Sequence, residues 1–203
     1  MSRMIIAIGV VAFLLMAAAT LRTDSAPGAL QEGDPFPALE GHDLTGGDAR
    51  LPQAALGRVA VVAIGFTYGS RFPVEAWADW YYTTITAGTA VVLFEVPMIG
   101  GVASLGRWFI DKGMRNGTPA ELHDRVITVY GHAGEWKHRL SYSSQHKDDA
   151  YLIVLDREGV VRWLGHGAFE PPVADELEHV LTSLADRRQM ASRLDSAGLR
   201  AQR

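Results

Sequence analysis

The chain has 203 residues, 48% of them apolar and 21% charged, which is the balance of an ordinary globular protein and not of a disordered one. A formal net charge of -4 gives no basis for nucleic acid as a partner. The absence of any cysteine removes thiolate nucleophiles, thiolate metal ligands and disulfide exchange, so core packing must supply the stability.

Arg3 and the terminal amine precede an uncharged run, Met4–Thr20 (MIIAIGVVAFLLMAAAT), with an A-x-A pattern at Ala17 and Ala19. Basic start, apolar stretch and small-residue site are the parts of a secretory signal. The same run, at the short end of bilayer-spanning length, would also serve uncleaved as an anchor. Residues 1–20 are thus expected to be a signal peptide or a membrane anchor. Either way the chain is exported, to the periplasm or to the outward face of the membrane that its N-terminal segment contacts.

Residues 21–37, rich in Ala, Gly, Pro and Asp, read as a linker. One domain is expected over residues 38–186. Beyond it, residues 187–203 carry five Arg and one Asp and little apolar content, which predicts a basic, disordered tail.

Within the domain, His42 to Leu51 suggests a polar hairpin turning at Gly46 and Gly47. Val59–Phe66 (VAVVAIGF) is a continuous β-branched run, the pattern of a strand buried on both faces. Phe72, Ala76, Trp80 and Ile85 recur near helical spacing, predicting a helix from Arg71 to Thr86 with Pro73 in its first turn. Ala90–Glu95 is a second buried strand. In the segment after it, Ile99, Val102, Leu105 and Phe109 share a helical face assigned to packing on the domain, the alternative being that part of it, or Trp108 beside it, stays open for a partner; charge lies at the far end. Thr118 and Glu121 form a capping-box pattern that starts a further helix at Pro119. Val126–Tyr130 is a third strand, and His132–Leu140 a short helix. Tyr151–Leu155, the turn Asp156–Gly159 and Val160–Leu164 form a hairpin. Pro172 opens a last helix with Leu177, Val180, Leu181 and Leu184 on one face. Strands alternating with helices and closed by a hairpin predict an α/β sandwich with a mixed central sheet.

Two stretches resemble the redoxin branch of the thioredoxin fold. GFTYGSRFPVEAW (Gly65–Trp77) stands where redoxins place their active-site cysteines, and YLIVLDREGVVRW (Tyr151–Trp163) is similar to their closing hairpin. The cis-proline that precedes that hairpin in those enzymes has no counterpart at Asp148, Asp149 and Ala150. The opening Gly65-Phe66-Thr67 also resembles the copper-delivery branch of the fold, whose two sulfur ligands are absent here. A closer resemblance is to the thioredoxin-like assembly factors for the membrane sector of F-type ATP synthase. It rests on FEVP (Phe94–Pro97), on Gly113-Met114-Arg115 followed by Pro119, and on Arg162, Trp163, Gly165, Gly167 and Pro171–Pro172. That resemblance implies a redox-inactive thioredoxin-like module with a helical insertion after the second core strand, acting as an assembly factor or chaperone for a membrane-protein client.

No cofactor motif is present: there is no phosphate-cradling G-x-x-x-x-G-K-[ST], and Ser70 lacks the G-x-S-x-G elbow. None of the seven histidines has H-x-x-x-H spacing, so no metal site is expected. Glu95 ends a strand that should be buried, where a carboxylate needs a partner, which Arg115 or Arg71 would supply, or a raised pKa; the alternative is that it points to solvent at the strand's end. The candidate partner surface comprises Tyr68, Ser70, Arg71, Phe72, Glu95, Pro97, Trp108 and Arg115, with Trp108 as the exposed anchor. The competing function is an enzyme or metal carrier that uses the fold without cysteine.

Overall fold

A computed structural model describes residues 28–85, 90–100 and 106–201, with side chains through residue 186. The leader read from residues 1–20 lies outside the described residues. Among the described residues no helix is long and apolar enough to cross a membrane.

The fold grows from its most apolar segment. Strand β3 (Val59–Gly65) is buried at every position. It pairs in parallel with β4 (Val91–Ile99), from Val59↔Val91 to Gly65↔Pro97, and antiparallel with β6 (Ala150–Leu155), from Ala60↔Leu155 to Ile64↔Tyr151. Strands β1 (Leu39–Asp43), β2 (Asp48–Leu51), β5 (Ile127–Tyr130) and β7 (Val161–Gly167) complete a seven-stranded mixed sheet ordered β2-β1-β5-β4-β3-β6-β7. The turn into β7 needs Gly159, whose φ is +81° and whose added Cβ would stand 2.9 Å from Pro52.

Strand alternation divides the interior in two. Ala60, Val62, Ile64, Phe94, Val96 and Ile153 face one way, under Phe36 and Trp136 of helix α3 (Ala133–Arg139). Val61, Ala63, Leu93 and Leu152 face the other way, under helix α1 (Arg71–Thr84) and helix α4 (Pro171–Ala201). Helix α4 buries Leu177, Leu181 and Leu184, the face anticipated from its spacing. Helix α1 buries Val74, Trp77, Ala78 and Tyr81, not the stripe running through Phe72 and Ala76. The buried stripe wins because its polar atoms find partners: Trp77 Nε1 donates to Gly167 O (3.4 Å) and Tyr81 OH to Val91 O (3.1 Å).

Four expectations are corrected. Residues 28–37 are not a free linker: Leu30 N donates to Arg139 O, Val161 N to Asp34 O and Phe36 N to Gly159 O, and Phe36 packs on Trp136. The backbone of α4 stays helical to Ala201, through the stretch read as a disordered tail, where Ala, Arg, Leu, Gln and Met are all good helix formers. Strand β4 continues to Ile99, so Pro97 and Ile99 are strand and the following helix α2 starts only at Arg107 (Arg107–Gly117); Val102 and Leu105 lie outside the described residues. Proline is tolerated there because Gly65↔Pro97 is the last pair with β3, so the missing N–H falls where that ladder ends, while the other edge, bridged at Glu95↔Val126, carries the strand on through Met98↔Val129. Finally, no side chain caps the element after Thr118, which is a 3-10 turn (Ala120–Arg125); His123 Nε2 instead donates to Thr118 O at 2.9 Å.

Candidate functional site

The turn from β3 into α1 is built on Ser70, which is fully buried. Its Oγ accepts the N–H groups of Phe66 (3.3 Å) and Thr67 (3.2 Å) and donates to Lys147 O (3.3 Å). Thr67 Oγ1 accepts Ser70 N–H (3.1 Å) and donates to Asp148 Oδ1 (2.5 Å), a bond that holds the Asp148 carboxyl below its usual range. A Cβ at Gly69 would lie 2.5 Å from that same Oδ1, so a larger residue there would push Asp148 off Thr67. Ser70 is therefore a clamp inside the turn, not part of an accessible surface as expected. The bonds it makes leave Tyr68 76% exposed at the tip, with the Arg71 guanidinium 4.7 Å from the Tyr68 ring and 4.6 Å from the Phe72 ring.

Beside this turn lies a cavity of about 810 Å³, bounded by the start of α1, the C-terminal half of β4 and one face of α2. Helix α2 buries none of its residues. It is held by polar ties: Tyr130 OH donates to Asp111 Oδ1 (2.6 Å), Arg107 lies 4.3 Å from the Tyr130 ring centre, and Arg115 Nε donates to Leu44 O (2.7 Å). Its face toward the cavity carries Phe109, Ile110, Gly113, Met114 and Gly117. An apolar helix face thus looks across an open gap at Pro97, Met98 and Ile99 instead of closing on it.

Glu95 sits in this wall. Because β4 runs on to Ile99, Glu95 is a mid-strand residue and does not point to solvent from a strand end. Neither proposed cation reaches it: Arg115 is spent on Leu44 O and Arg71 on the two rings, and among the described residues no salt bridge to Glu95 exists. Its neighbours are acidic. Glu75, Asp79 and Tyr82 recur at helical spacing on α1 above it. Burial first, then the charges of Glu75 and Asp79, push its carboxyl up from 4.5 to about 7. Burial and the Glu95 charge in turn push Tyr82 up to about 12.

Of the eight residues singled out from the sequence, Tyr68, Arg71, Glu95 and Pro97 line the cavity together. Phe72 is exposed beside Arg71 but outside the lining, and Arg115 is turned to Leu44. Both Trp108 and Phe109 are exposed, but it is Phe109 that reaches the cavity. Trp108 is 60% exposed, under Lys112 at 4.7 Å, and does not line the cavity, whereas Phe109, expected to pack on the domain, is 70% exposed and does line it. Sequence reasoning missed Phe66, Met98, Ile110 and Met114. The signal for the last two was present in Ile110, Gly113, Met114 and Gly117, which share one helical face.

No family model and no curated protein matches the chain. Solved structures do. A protein from Chlorobium tepidum described as the thiol:disulfide interchange protein DsbE is 17% identical, with a TM-score of 0.52 over 77% of this chain and 99% of its own. The exposed lipoprotein thioredoxin of Streptococcus pneumoniae is 17% identical, with a TM-score of 0.50 over 73% of this chain and 100% of its own. A thiol peroxidase from Chromobacterium violaceum is 13% identical, with a TM-score of 0.50 over 76% and 88%.

The fold is thioredoxin-like. Identities this low transfer architecture and nothing of activity. The cavity opens beside the turn between the first central strand and its helix, the place where the redoxin resemblance would put sulfur and where this chain has Tyr68, Gly69, Ser70 and Arg71.

Proposed function

We propose that this chain is a redox-inactive thioredoxin-fold binding module, exported and held at a membrane, which receives a segment of a membrane-protein client in the cavity between α1, β4 and α2. The observation that carries the reading is an open apolar cavity with uncompensated acid in its wall, on a chain with no cysteine. Exposed apolar area rimmed by polar groups is what a partner surface needs. Among the described residues Glu95, Glu75 and Asp79 have no paired cation, which favours a client segment that is apolar and carries one Lys or Arg. The leader pattern supports export, and one relative by fold is described as an exposed lipoprotein. The role of assembly factor for an ATP-synthase membrane sector rests on the order of FEVP, the Gly113-Met114-Arg115 motif, which lies within α2, and the closing Arg162–Gly167 motif.

Co-expression with the membrane-sector subunits of the synthase, followed by capture from detergent, tests this reading. The wild-type chain should retain one subunit stoichiometrically, and Phe109→Asp and Glu95→Gln should each lower retention severalfold. Retention unchanged in both variants, or reduction of insulin disulfides by the purified chain, would overturn it.

A further inference from the structure

A second site lies at the other side of the β3–α1 turn. The 3-10 turn Ser144–His146 and the start of β6 fold so that Asp149 N donates to His146 O (3.2 Å). Antiparallel pairing of β6 with β7 sets His166 opposite Tyr151, diagonal to Asp149. Two imidazoles and a carboxylate from separate stretches of sequence thereby meet. His146 Nδ1 lies 3.1 Å and His166 Nδ1 2.7 Å from the same oxygen, Asp149 Oδ2, and one ligand atom from each residue falls within 4.8 Å of the other two. We propose that His146, Asp149 and His166 form a binding site for a borderline divalent transition ion such as Zn²⁺ or Co²⁺.

Three features support a built site over a chance encounter. The donor chemistry is right, because two imidazole nitrogens and a carboxylate oxygen suit such ions and not Ca²⁺ or Mg²⁺. The spacing is within reach of a small rearrangement: ligands about 2.1 Å from a tetrahedral ion are about 3.4 Å from each other, so the two separations from Asp149 Oδ2 open by about 0.3 and 0.7 Å while the third, within 4.8 Å, adjusts to the same value. The rings are also held in place. His166 stacks on the buried Tyr151 ring (centroids 5.1 Å, 25° between planes), His146 meets His166 edge-on at 4.8 Å, and Tyr151 OH donates to His146 O (3.3 Å). Such supporting contacts orient metal ligands. Without an ion, each Nδ1–H donates to Asp149. To bind one, both rings take the tautomer with hydrogen on Nε2 and offer Nδ1 lone pairs to the point that Oδ2 faces. Asp149 has no Lys or Arg partner among the described residues, so its charge is available to a cation. All three residues are at least partly exposed, so the ion would keep an open position for water or for a partner's ligand. The site shares no residue with the cavity, and the two proposals stand or fall separately.

The test uses the full chain in detergent, without a polyhistidine tag and stripped with EDTA, titrated with Co²⁺ alone and then with Zn²⁺. Expected is a visible Co²⁺ band that saturates at one ion per chain and is displaced by Zn²⁺. Zn²⁺ at a hundredfold excess over its Kd should raise Tm by about 5–10 °C. His146→Gln, Asp149→Asn and His166→Gln should each weaken binding at least tenfold while circular dichroism stays that of the wild type. His42→Gln, which removes an exposed imidazole at Asp48, should bind as the wild type does. No saturable band at micromolar chain, or binding that survives all three substitutions, overturns the proposal. Should a variant lose its fold, the remaining two decide.

Discussion

Replacing Glu95 by glutamine should make the protein more stable, and only at neutral to alkaline pH. The carboxyl titrates near 4.5 when unfolded and at about 7 when folded. At about 1.4 kcal/mol for each pH unit of separation, the fold disfavours the charged form by about 3 kcal/mol. The sign follows from the acid being harder to ionise in the folded chain. Its protonated form costs nothing below pH 4.5; the penalty grows as pH rises from there and levels off above about 7. Glutamine keeps the shape and carries no charge. Glu95→Gln should therefore match wild type at pH 4.5 and exceed it by up to about 3 kcal/mol at pH 8, a Tm gain of about 6–12 °C for a chain of this size. Urea unfolding of both proteins at pH 4.5, 6 and 8 measures this. A stability difference that is the same at pH 4.5 and pH 8 would refute the reasoning. If the cavity receives a basic client side chain, the stabilised variant should also bind worse, as expected where a site is kept strained for use.

Phe109→Ala and Trp108→Ala should each leave Tm within about 2 °C of wild type, since both rings are exposed, while only Phe109→Ala weakens client capture. Ser70→Ala strands two backbone N–H groups and the Lys147 carbonyl, and should cost about 1–3 kcal/mol in urea unfolding. At Asp156, burial opposes ionisation but is outweighed by bonds from Val160 N–H, Arg162 and Glu158 N–H, so its pKa is lowered from 3.8. Its stabilisation should be complete above that value and vanish as pH falls through the lower folded one. Asp156→Asn should thus lose stability at pH 7, and the loss should shrink in acid.

Patterns confined to one element were readable from the sequence. The unbroken run of β3 announced a central strand, and Asp156 to Gly159 announced the hairpin that follows. What failed depended on tertiary partners. Pro97 looks like a strand end until one knows that pairing with Val129 and Tyr130 carries β4 on past the end of β3. Ser70 looks like a surface hydroxyl until Lys147 arrives from the other side of the turn. Phe109 has the spacing of a packed residue, but α2 is tied by Tyr130 and Leu44 and never closes on the sheet. The histidine cluster escaped a search along one helix because strand register, not helical spacing, brings His166 to Asp149.

The place of β3 in the sheet also has a consequence for how the chain must fold. Ala63 pairs with Glu95 on one side but with Leu152 on the other, so the second edge of the strand stays bare until the distant β6 docks. Such non-local closure is slow. During that interval VAVVAIG, without charge or proline, presents the kind of edge on which chains pair with one another. If the chain is exported as proposed, it meets this hazard each time it emerges unfolded from a secretion channel. Its yield of native protein should therefore depend on local chain concentration and on how quickly residues 150–155 follow, even though the finished sheet leaves that strand no free edge.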